Sequence, residues 1–227
     1  MIAENLKILE EKIQKKCNEC GRNRSEIKLI GVTKTQTVEV VKEAVTAGIK
    51  DLGENKAQEL RDKAELITED VNWHFIGHLQ TNKVKYVIKA AEYIHSVDSI
   101  KLAEEINRKA AQYKKVQKVL LEIKTSDEAT KYGLVNENEI DEIAEYCKKA
   151  ENLNLVGLMT MAPYTENENE IRSSFKSLKE EKARLNTSGF ELTELSMGMT
   201  NDYEIAIEEG ATMLRIGTAI FGERTYL

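Results

Sequence analysis

Leu29-Ile-Gly-Val-Thr-Lys34 is an apolar run that ends on a lysine, and it sets the pattern that the rest of the sequence repeats. Its apolar and β-branched residues predict a buried strand, and Thr35-Gln-Thr37 predicts a turn into a helix. Lys34 would then stand at the C-terminal end of a strand, where α/β folds place their chemistry. A lysine amine that is removed from water loses its proton more readily and can act as a Schiff-base nucleophile.

Short strand candidates alternate with helical segments from Ile27 onward. Before them, apolar residues from Ile2 to Ile13 recur at helical spacing and predict an N-terminal amphipathic helix. Eight strand candidates follow, near Leu29, Asp51-Leu52, Trp73 to Ile76, Tyr93-Ile94, Val119 to Ile123, Leu155 to Leu158, Leu192 to Leu195 and Met213 to Ile216. Eight alternations predict a (β/α)8 barrel that forms one domain over residues 1–227. A doubly wound open sheet is the structural alternative.

Composition narrows the functional class. The 227 residues include 33 Lys+Arg and 39 Asp+Glu, and the net charge of -6 argues against a nucleic-acid partner. No apolar stretch approaches the roughly 20 residues of a membrane span, and the N-terminus lacks a signal-peptide pattern. Three cysteines argue against a disulfide framework, and Cys17-x-x-Cys20 has no second pair at zinc spacing. We therefore expect a cytoplasmic protein without a metal centre or a membrane partner.

The active face of such a barrel is built from the segments that leave the C-terminal ends of its strands. Two of these segments carry glycines and hydroxyl groups: Ser196, Gly198 and Thr200 follow the seventh strand, and Gly217 with Thr218 follows the eighth. Loops at these places often bind phosphate, because glycine lets the backbone approach and N–H groups donate to the anion. The same residues also occur in plain turns and helix caps, so the segments alone leave both interpretations open.

A phosphate site on the last strands, combined with the lysine on the first strand, favours pyridoxal 5'-phosphate as the cofactor. Lys34 would hold the aldehyde of this cofactor as an imine. The cofactor would lie across the barrel mouth between its two anchors.

Arg215, at the end of the eighth strand, would then face the pyridine nitrogen, where enzymes that use the ring as a full electron sink place an acid. A cation about 4 Å from that nitrogen opposes its protonation by up to roughly 4 kcal/mol at an effective dielectric constant near 20, about three pKa units. Carbanion chemistry should therefore be weak. The alternative is an outward-facing arginine in a surface ion pair.

An ordered set of motifs covers the chain from about Ile27 to Gly222. It consists of Leu29 to Lys34, Gly53-Glu-Asn55, Trp73 to Gly77 with Leu79-Gln80 and Asn82-Lys83, Gly157 to Met161, Ser196 to Thr200 with Asp202, and Arg215 to Thr218 with Ile220 to Gly222. This set resembles the pyridoxal phosphate homeostasis proteins. Two positions depart from the family pattern: His78 stands where many members have proline, and Lys56 where many have an aromatic residue.

The resemblance implies a single barrel of the alanine racemase fold type that binds pyridoxal phosphate and takes part in vitamin B6 homeostasis without established catalytic turnover. It implies that Lys34 forms the imine, that Asn55 lies beside the ring and that Arg215 faces the ring nitrogen. The residues that would hold the phosphate, by side chain or by amide, are Ser196, Gly217 and Thr218.

A pyridoxal-phosphate-dependent amino-acid racemase of low activity is the alternative function. Racemases of this fold carry an additional β domain that supplies a second base across a dimer interface, and 227 residues leave no room for it. We therefore expect a monomeric carrier that delivers the cofactor to apo-enzymes. A third interpretation is an interaction protein with a vestigial pocket. Residues that could add a second base or a release function are His78, Lys131, Tyr132 and Tyr164.

Overall fold

The computed structural model describes residues 1–126 and 132–223 of the chain. Within this part, eight parallel strands close into a barrel in chain order, and the last strand pairs with the first. The strands are β1 (Lys28–Val32), β2 (Asp51–Glu54), β3 (Asn72–Phe75), β4 (Ala91–Val97), β5 (Gln117–Glu122), β6 (Leu153–Met159), β7 (Glu194–Ser196) and β8 (Met213–Ile216). The predicted barrel is confirmed, and its closure excludes the open-sheet alternative.

Helices surround the barrel and connect its strands. They are α1 (Ile2–Glu19), α2 (Val38–Thr46), α3 (Ala57–Leu66), α4 (Val84–Val87), α5 (Ile100–Gln112), α6 (Glu137–Lys149), α7 (Glu168–Thr187), α8 (Tyr203–Glu209) and α9 (Thr218–Phe221), with 3-10 turns at Arg24–Glu26 and Thr81–Lys83. The predicted N-terminal helix is α1, whose buried apolar face packs against α8 and α9. In the part of the chain that is described, no helix is both long and apolar enough to cross a membrane.

The seventh strand begins later than the sequence predicts. The sequence predicts that the strand starts at Leu192, but the Leu192 N–H donates to Asn186 Oδ1 at 2.8 Å rather than to a neighbouring strand. Thr193 then donates to Val156 O at 2.9 Å, and the strand itself runs over Glu194–Ser196. This shift places Ser196 at the C-terminal end of β7, at the mouth of the barrel.

Each strand presents one face to the helices and the other to the barrel interior. The outward residues, such as Leu29, Leu52 and Leu121, belong to a large apolar core that the helices cover. The interior contains a much smaller apolar cluster, which consists of Ile30, Tyr93, Leu120, Met159 and Met213. The remaining interior volume is occupied by polar side chains, which must find hydrogen-bond partners inside the barrel.

A hydrogen-bond network crosses the interior and ends on Arg215. Asp51 Oδ1 lies 2.9 Å from His74 Nε2, and His74 Nδ1 lies 2.9 Å from His95 Nε2. His95 Nδ1 lies 2.9 Å from Ser196 Oγ, and the Arg215 guanidinium donates to that same oxygen at 2.7 Å. We call these five residues the interior network. It connects the first residue of β2, at the bottom of the barrel, to the mouth.

The direction of each hydrogen bond in the interior network follows from its two ends. An ionised carboxylate only accepts, and a guanidinium only donates. Burial lowers the pKa of His74 and holds the pKa of His95 well below its usual value, so both imidazoles are neutral near pH 7. We therefore assign the proton of each ring to Nε2: His74 donates to Asp51, His95 donates to His74, and Ser196 donates to His95. Ser196 Oγ remains the acceptor for Arg215.

The neutral imidazoles predict a pH-dependent stability. A histidine whose folded pKa lies below its unfolded value of about 6.5 binds fewer protons when folded, so the free energy of unfolding falls as the pH drops below that value. Between pH 7.5 and 5.5, the free energy of unfolding of the His95→Gln variant should therefore fall by about 1 kcal/mol less than that of the wild type. Urea unfolding of both proteins at the two pH values measures the difference.

The comparison with wild type is needed because Glu122 has the opposite pH dependence. Burial raises the pKa of Glu122 from its ordinary value of 4.5 to about 7, so its stabilisation is lost as the pH rises from the ordinary value through about 7. That contribution is present in both proteins and cancels. The control His78→Gln keeps both imidazoles of the interior network and should retain the wild-type dependence. Identical pH dependence in wild type and His95→Gln would contradict the assignment.

Candidate functional site

Four neighbouring strands, β7, β8, β1 and β2, bring most of the predicted site residues to one side of the barrel mouth. Lys34 lies two residues beyond the end of β1, in a turn, and its side chain is half-buried. β8 flanks β1 on one side and pairs Arg215 with Ile30. β2 flanks it on the other side and leads into Asn55. The closed barrel therefore places the amine of Lys34 between β8, which carries the guanidinium of Arg215, and the side-chain amide of Asn55 after β2.

Asn55 presents an oxygen without a partner. Its side-chain Oδ1 is buried and accepts no hydrogen bond from the described residues. The backbone of Asn55 is packed tightly against Gly77 at the end of β3, where an added Cβ would lie only 2.3 Å from Asn55 O. Only glycine fits at position 77, and the close approach fixes where Asn55 stands. A buried acceptor that is held in place but left unpaired is typical of a ligand site.

Arg215 faces the barrel interior, so the alternative of an outward surface ion pair is wrong. It is 4% exposed, and its guanidinium donates to Ser196 Oγ at 2.7 Å and to Thr160 O at 2.8 Å. Burial lowers the pKa of Arg215 to about 10, although Asp202 and Glu122 oppose the shift. The guanidinium therefore remains a cation at neutral pH. It lies in the barrel interior, just below the mouth.

The hydroxyl groups near the mouth fall into two sets. The Ser196 hydroxyl is fully buried and is hydrogen-bonded to His95 and Arg215. The second set is Thr200 and Thr218: Thr200 Oγ1 accepts from the Thr218 hydroxyl at 3.0 Å. The resemblance implies that Ser196 holds the phosphate by side chain or by amide, and strand alternation turns the Ser196 side chain inward.

The loops around Thr200 and Thr218 are shaped by glycine. Gly198 has φ of +94°, and a Cβ there would meet Ala206 at 2.6 Å, so a side chain is excluded both by conformation and by space. Gly217 lies against the end of β1, with its nearest neighbours in Val32 at 3.7 Å from the position a Cβ would occupy. The last two strands therefore bring two hydroxyls and a glycine backbone next to the turn that carries Lys34.

Glu122 adds an acid to the opposite side of the mouth. It ends β5 and is 3% exposed, and its Oε2 has no hydrogen-bond partner in the described part of the chain. Burial raises the pKa of Glu122 to about 7; Asp98 adds to the shift and Arg215 opposes it. No motif marks this residue in the sequence. The detectable signal is alternation, because Leu120, two residues earlier, belongs to the interior cluster.

The residues raised as additional bases or release groups do not join this set. His78 lies near Asp98, with 3.4 Å between Nδ1 and Oδ2, and its ring stacks on that of Tyr132 at 3.9 Å. Tyr164 is 92% exposed. Lys131 lies outside the described residues. Among residues 1–126 and 132–223, no group of three or more His, Cys, Asp or Glu side chains is arranged to hold a metal ion.

Comparisons with known proteins agree with this geometry. The family model described as the alanine racemase N-terminal domain matches residues 3–225. A curated pyridoxal phosphate homeostasis protein from Aquifex aeolicus is 45% identical over 225 residues, which cover 98% of each chain. The solved structure of PipY from Synechococcus elongatus with PLP bound is 30% identical, with a TM-score of 0.86, and the match covers 98% of this chain and 100% of PipY.

An alanine racemase from Clostridium difficile shares the fold alone. Its structure matches with a TM-score of 0.76 at 18% identity, over 96% of this chain and 60% of the racemase chain. The match to the homeostasis proteins is nearly end to end on both sides and far higher in identity. The chain therefore belongs to the alanine racemase N-terminal domain family and, within it, to the pyridoxal phosphate homeostasis proteins.

Proposed function

We propose that this protein binds pyridoxal 5'-phosphate at the mouth of its barrel and takes part in vitamin B6 homeostasis. The observation that carries the proposal is the juxtaposition on adjacent strands of an amine at Lys34, an unpartnered acceptor at Asn55 and a buried cation at Arg215. The names of the curated relatives and the PLP-bound structure of PipY support the same ligand. The binding unit is a single domain over residues 1–227.

The residues at the mouth fit the functional groups of this cofactor. Lys34 supplies the amine that can bond covalently to an aldehyde, and Asn55 Oδ1 is open to a donor on the ligand. Thr200, Gly217 and Thr218 offer hydroxyls and backbone to a phosphate. Ser196 acts behind this surface, as the acceptor that holds Arg215 in place. We therefore assign the phosphate contacts to Thr200, Gly217 and Thr218 and give Ser196 a supporting role.

Bound pyridoxal phosphate supplies an electrophilic aldehyde and a ring that withdraws electrons when its nitrogen is protonated. Arg215 limits that second property, because a guanidinium directed at the nitrogen opposes its protonation. The guanidinium cannot turn away easily, since Ser196 and Thr160 hold it on two sides. The site is thus better suited to holding the cofactor than to stabilising a carbanion.

We therefore propose a carrier rather than an enzyme. In this role a monomeric cytoplasmic protein holds the cofactor reversibly at Lys34 and releases it to apo-enzymes that require it. The relatives that match along the whole chain are named for homeostasis, and the racemases match in fold alone. A racemase of low activity is the competing function, and turnover measurements separate the two.

Attachment at Lys34 can be tested directly. Borohydride treatment of the protein loaded with pyridoxal phosphate should fix the cofactor on the peptide that contains Lys34, as read by mass spectrometry, and Lys34→Ala should abolish both this label and the visible absorbance band. Lys63 is a matched internal control, because it is a buried neighbouring lysine whose three N–H donors are already used. A label on any lysine other than Lys34 would contradict the assignment.

Carrier and enzyme differ in turnover. With alanine or serine as substrate, the loaded protein should show no sustained racemisation or transamination by chiral chromatography, because Arg215 disfavours the protonated ring. Mixed with the apo form of a pyridoxal-phosphate enzyme, it should restore that enzyme's activity, whereas an equally treated Lys34→Ala sample should not. Steady racemisation at about one turnover per second or faster, an ordinary enzyme rate, would favour the racemase instead.

The role of Arg215 predicts a spectral shift. Arg215→Glu should raise the proton affinity of the ring nitrogen by up to about three pKa units, seen in the pH profile of the cofactor's absorption spectrum. Arg215→Lys keeps the cation and should stay close to wild type. If Arg215→Glu does not fold, Arg215→Gln, which is neutral and still donates hydrogen bonds, should shift the profile in the same direction. Identical profiles for wild type and the folded variants would show that Arg215 does not face the ring.

A further inference from the structure

The turn that carries Lys34 is held from below by a buried cluster on β2 and α3. Thr33, the residue before Lys34, offers its carbonyl oxygen to Lys63 Nζ at 2.7 Å. Its hydroxyl donates to Glu54 Oε1 at 2.7 Å, and its N–H donates to Gly53 O at 2.9 Å. The N–H and the hydroxyl of Thr33 are therefore bonded to β2, while its carbonyl accepts from Lys63 on α3 and from the Gln36 N–H within the turn.

The residue after Lys34 is held by the same cluster. The Thr35 N–H donates to Glu59 Oε1 at 2.8 Å. Thr35 has φ of +67°, in the left-handed region. That conformation is uncommon for a β-branched residue and persists only where its surroundings enforce it. The hydrogen bond from the Thr35 N–H to Glu59 ties this peptide unit to α3, in addition to the turn bond from the Gln36 N–H to Thr33 O at 3.0 Å.

Lys63 joins the two anchor points. Its ammonium donates to Glu54 Oε1 at 2.6 Å and to Glu59 Oε1 at 2.8 Å, besides the bond to Thr33. An ammonium has three N–H donors, so all of them are used. The Lys63 side chain is 7% exposed and that of Glu54 is fully buried. We call Glu54, Glu59 and Lys63 the turn clamp.

We propose that the turn clamp positions Lys34 for attachment of the cofactor, with Glu59 and Lys63 as positioning residues that fix the peptide units on both sides of it. The inference rests on the proposed function of Lys34. A lysine side chain has four rotatable bonds, so its amine is directed mainly by the backbone from which it starts. Holding both flanking peptide units limits where that amine can reach, and attachment requires that it meet an aldehyde in a defined geometry.

The sequence motifs assign no cofactor-binding role to any of the three clamp residues, and none of the three carries the reacting amine. Glu54 is bonded to Thr33 and Lys63, and Glu59 to Thr35 and Lys63. Loss of the clamp should therefore leave the amine present but loosely placed. Binding and attachment should weaken while Lys34 remains the attachment point.

Glu59→Ala tests the inference, because Glu59 is the most exposed member of the clamp, at 22% for its side chain, and its removal is least harmful to folding. Glu59→Gln is the conservative rescue, since its amide oxygen still accepts from Thr35. Glu65→Ala is the matched control: the same change on an exposed residue of the same helix. For each protein, NMR measures hydrogen exchange of the Thr35 amide without cofactor, and absorbance titration measures the dissociation constant for pyridoxal phosphate.

We expect Glu59→Ala to speed exchange of the Thr35 amide at least tenfold and to raise the dissociation constant at least fivefold, with slower borohydride trapping on Lys34. Glu59→Gln and Glu65→Ala should stay within twofold of wild type in all three measurements. Faster exchange with unchanged binding and trapping would overturn the positioning role, and unchanged exchange would overturn the clamp itself. Absence of label on Lys34 in the wild type would instead overturn the proposed function.

Discussion

Burial of the Arg215 guanidinium is the constraint on which the interior of this barrel depends. A cation removed from water is costly unless its N–H groups find acceptors and its charge is compensated. Thr160 O and Ser196 Oγ provide the acceptors. The Ser196 hydroxyl accepts from Arg215, so its own O–H group must donate to another acceptor, and that acceptor is His95 Nδ1. One buried charge thus determines the protonation and direction of a row of side chains that extends to Asp51.

The buried guanidinium also makes the two sides of the barrel mouth differ in charge. The β8 and β1 side carries the cation of Arg215 and the amine of Lys34. The β4 and β5 side carries Glu122 and Asp98, and the neighbouring Asp98 carboxylate adds to the raised pKa of Glu122. A ligand with an anionic end is therefore attracted to the first side and repelled by the second. This polarity orients a phosphate-bearing molecule before any specific hydrogen bond is formed.

Much of this arrangement can be predicted from the sequence because it is local. Alternating apolar strands and amphipathic helices specify the barrel, and the chain order of the strands puts the segments after β1, β2 and β8 at the same edge. Lys34 and Arg215 were identified in this way and Asn55 through the family resemblance, and each of the three lies at the mouth or just below it. The boundary of β7 was less certain, since the side chain of Asn186, on a preceding helix, replaces the strand partner of Leu192.

By itself, the sequence determined the barrel, the strand ends that carry its chemistry and the resemblance to a cofactor-binding family. Only the tertiary structure decided that Ser196 supports Arg215 while Thr200 stands beside Thr218, and that Glu59 and Lys63 hold the turn of Lys34. The physical reason is that these choices depend on hydrogen bonds between distant parts of the chain: His95 and Ser196 are 101 residues apart, and Thr33 and Lys63 are 30 apart. Such partners meet only when the barrel closes, so no local pattern can specify which of them a hydroxyl or an ammonium will bind.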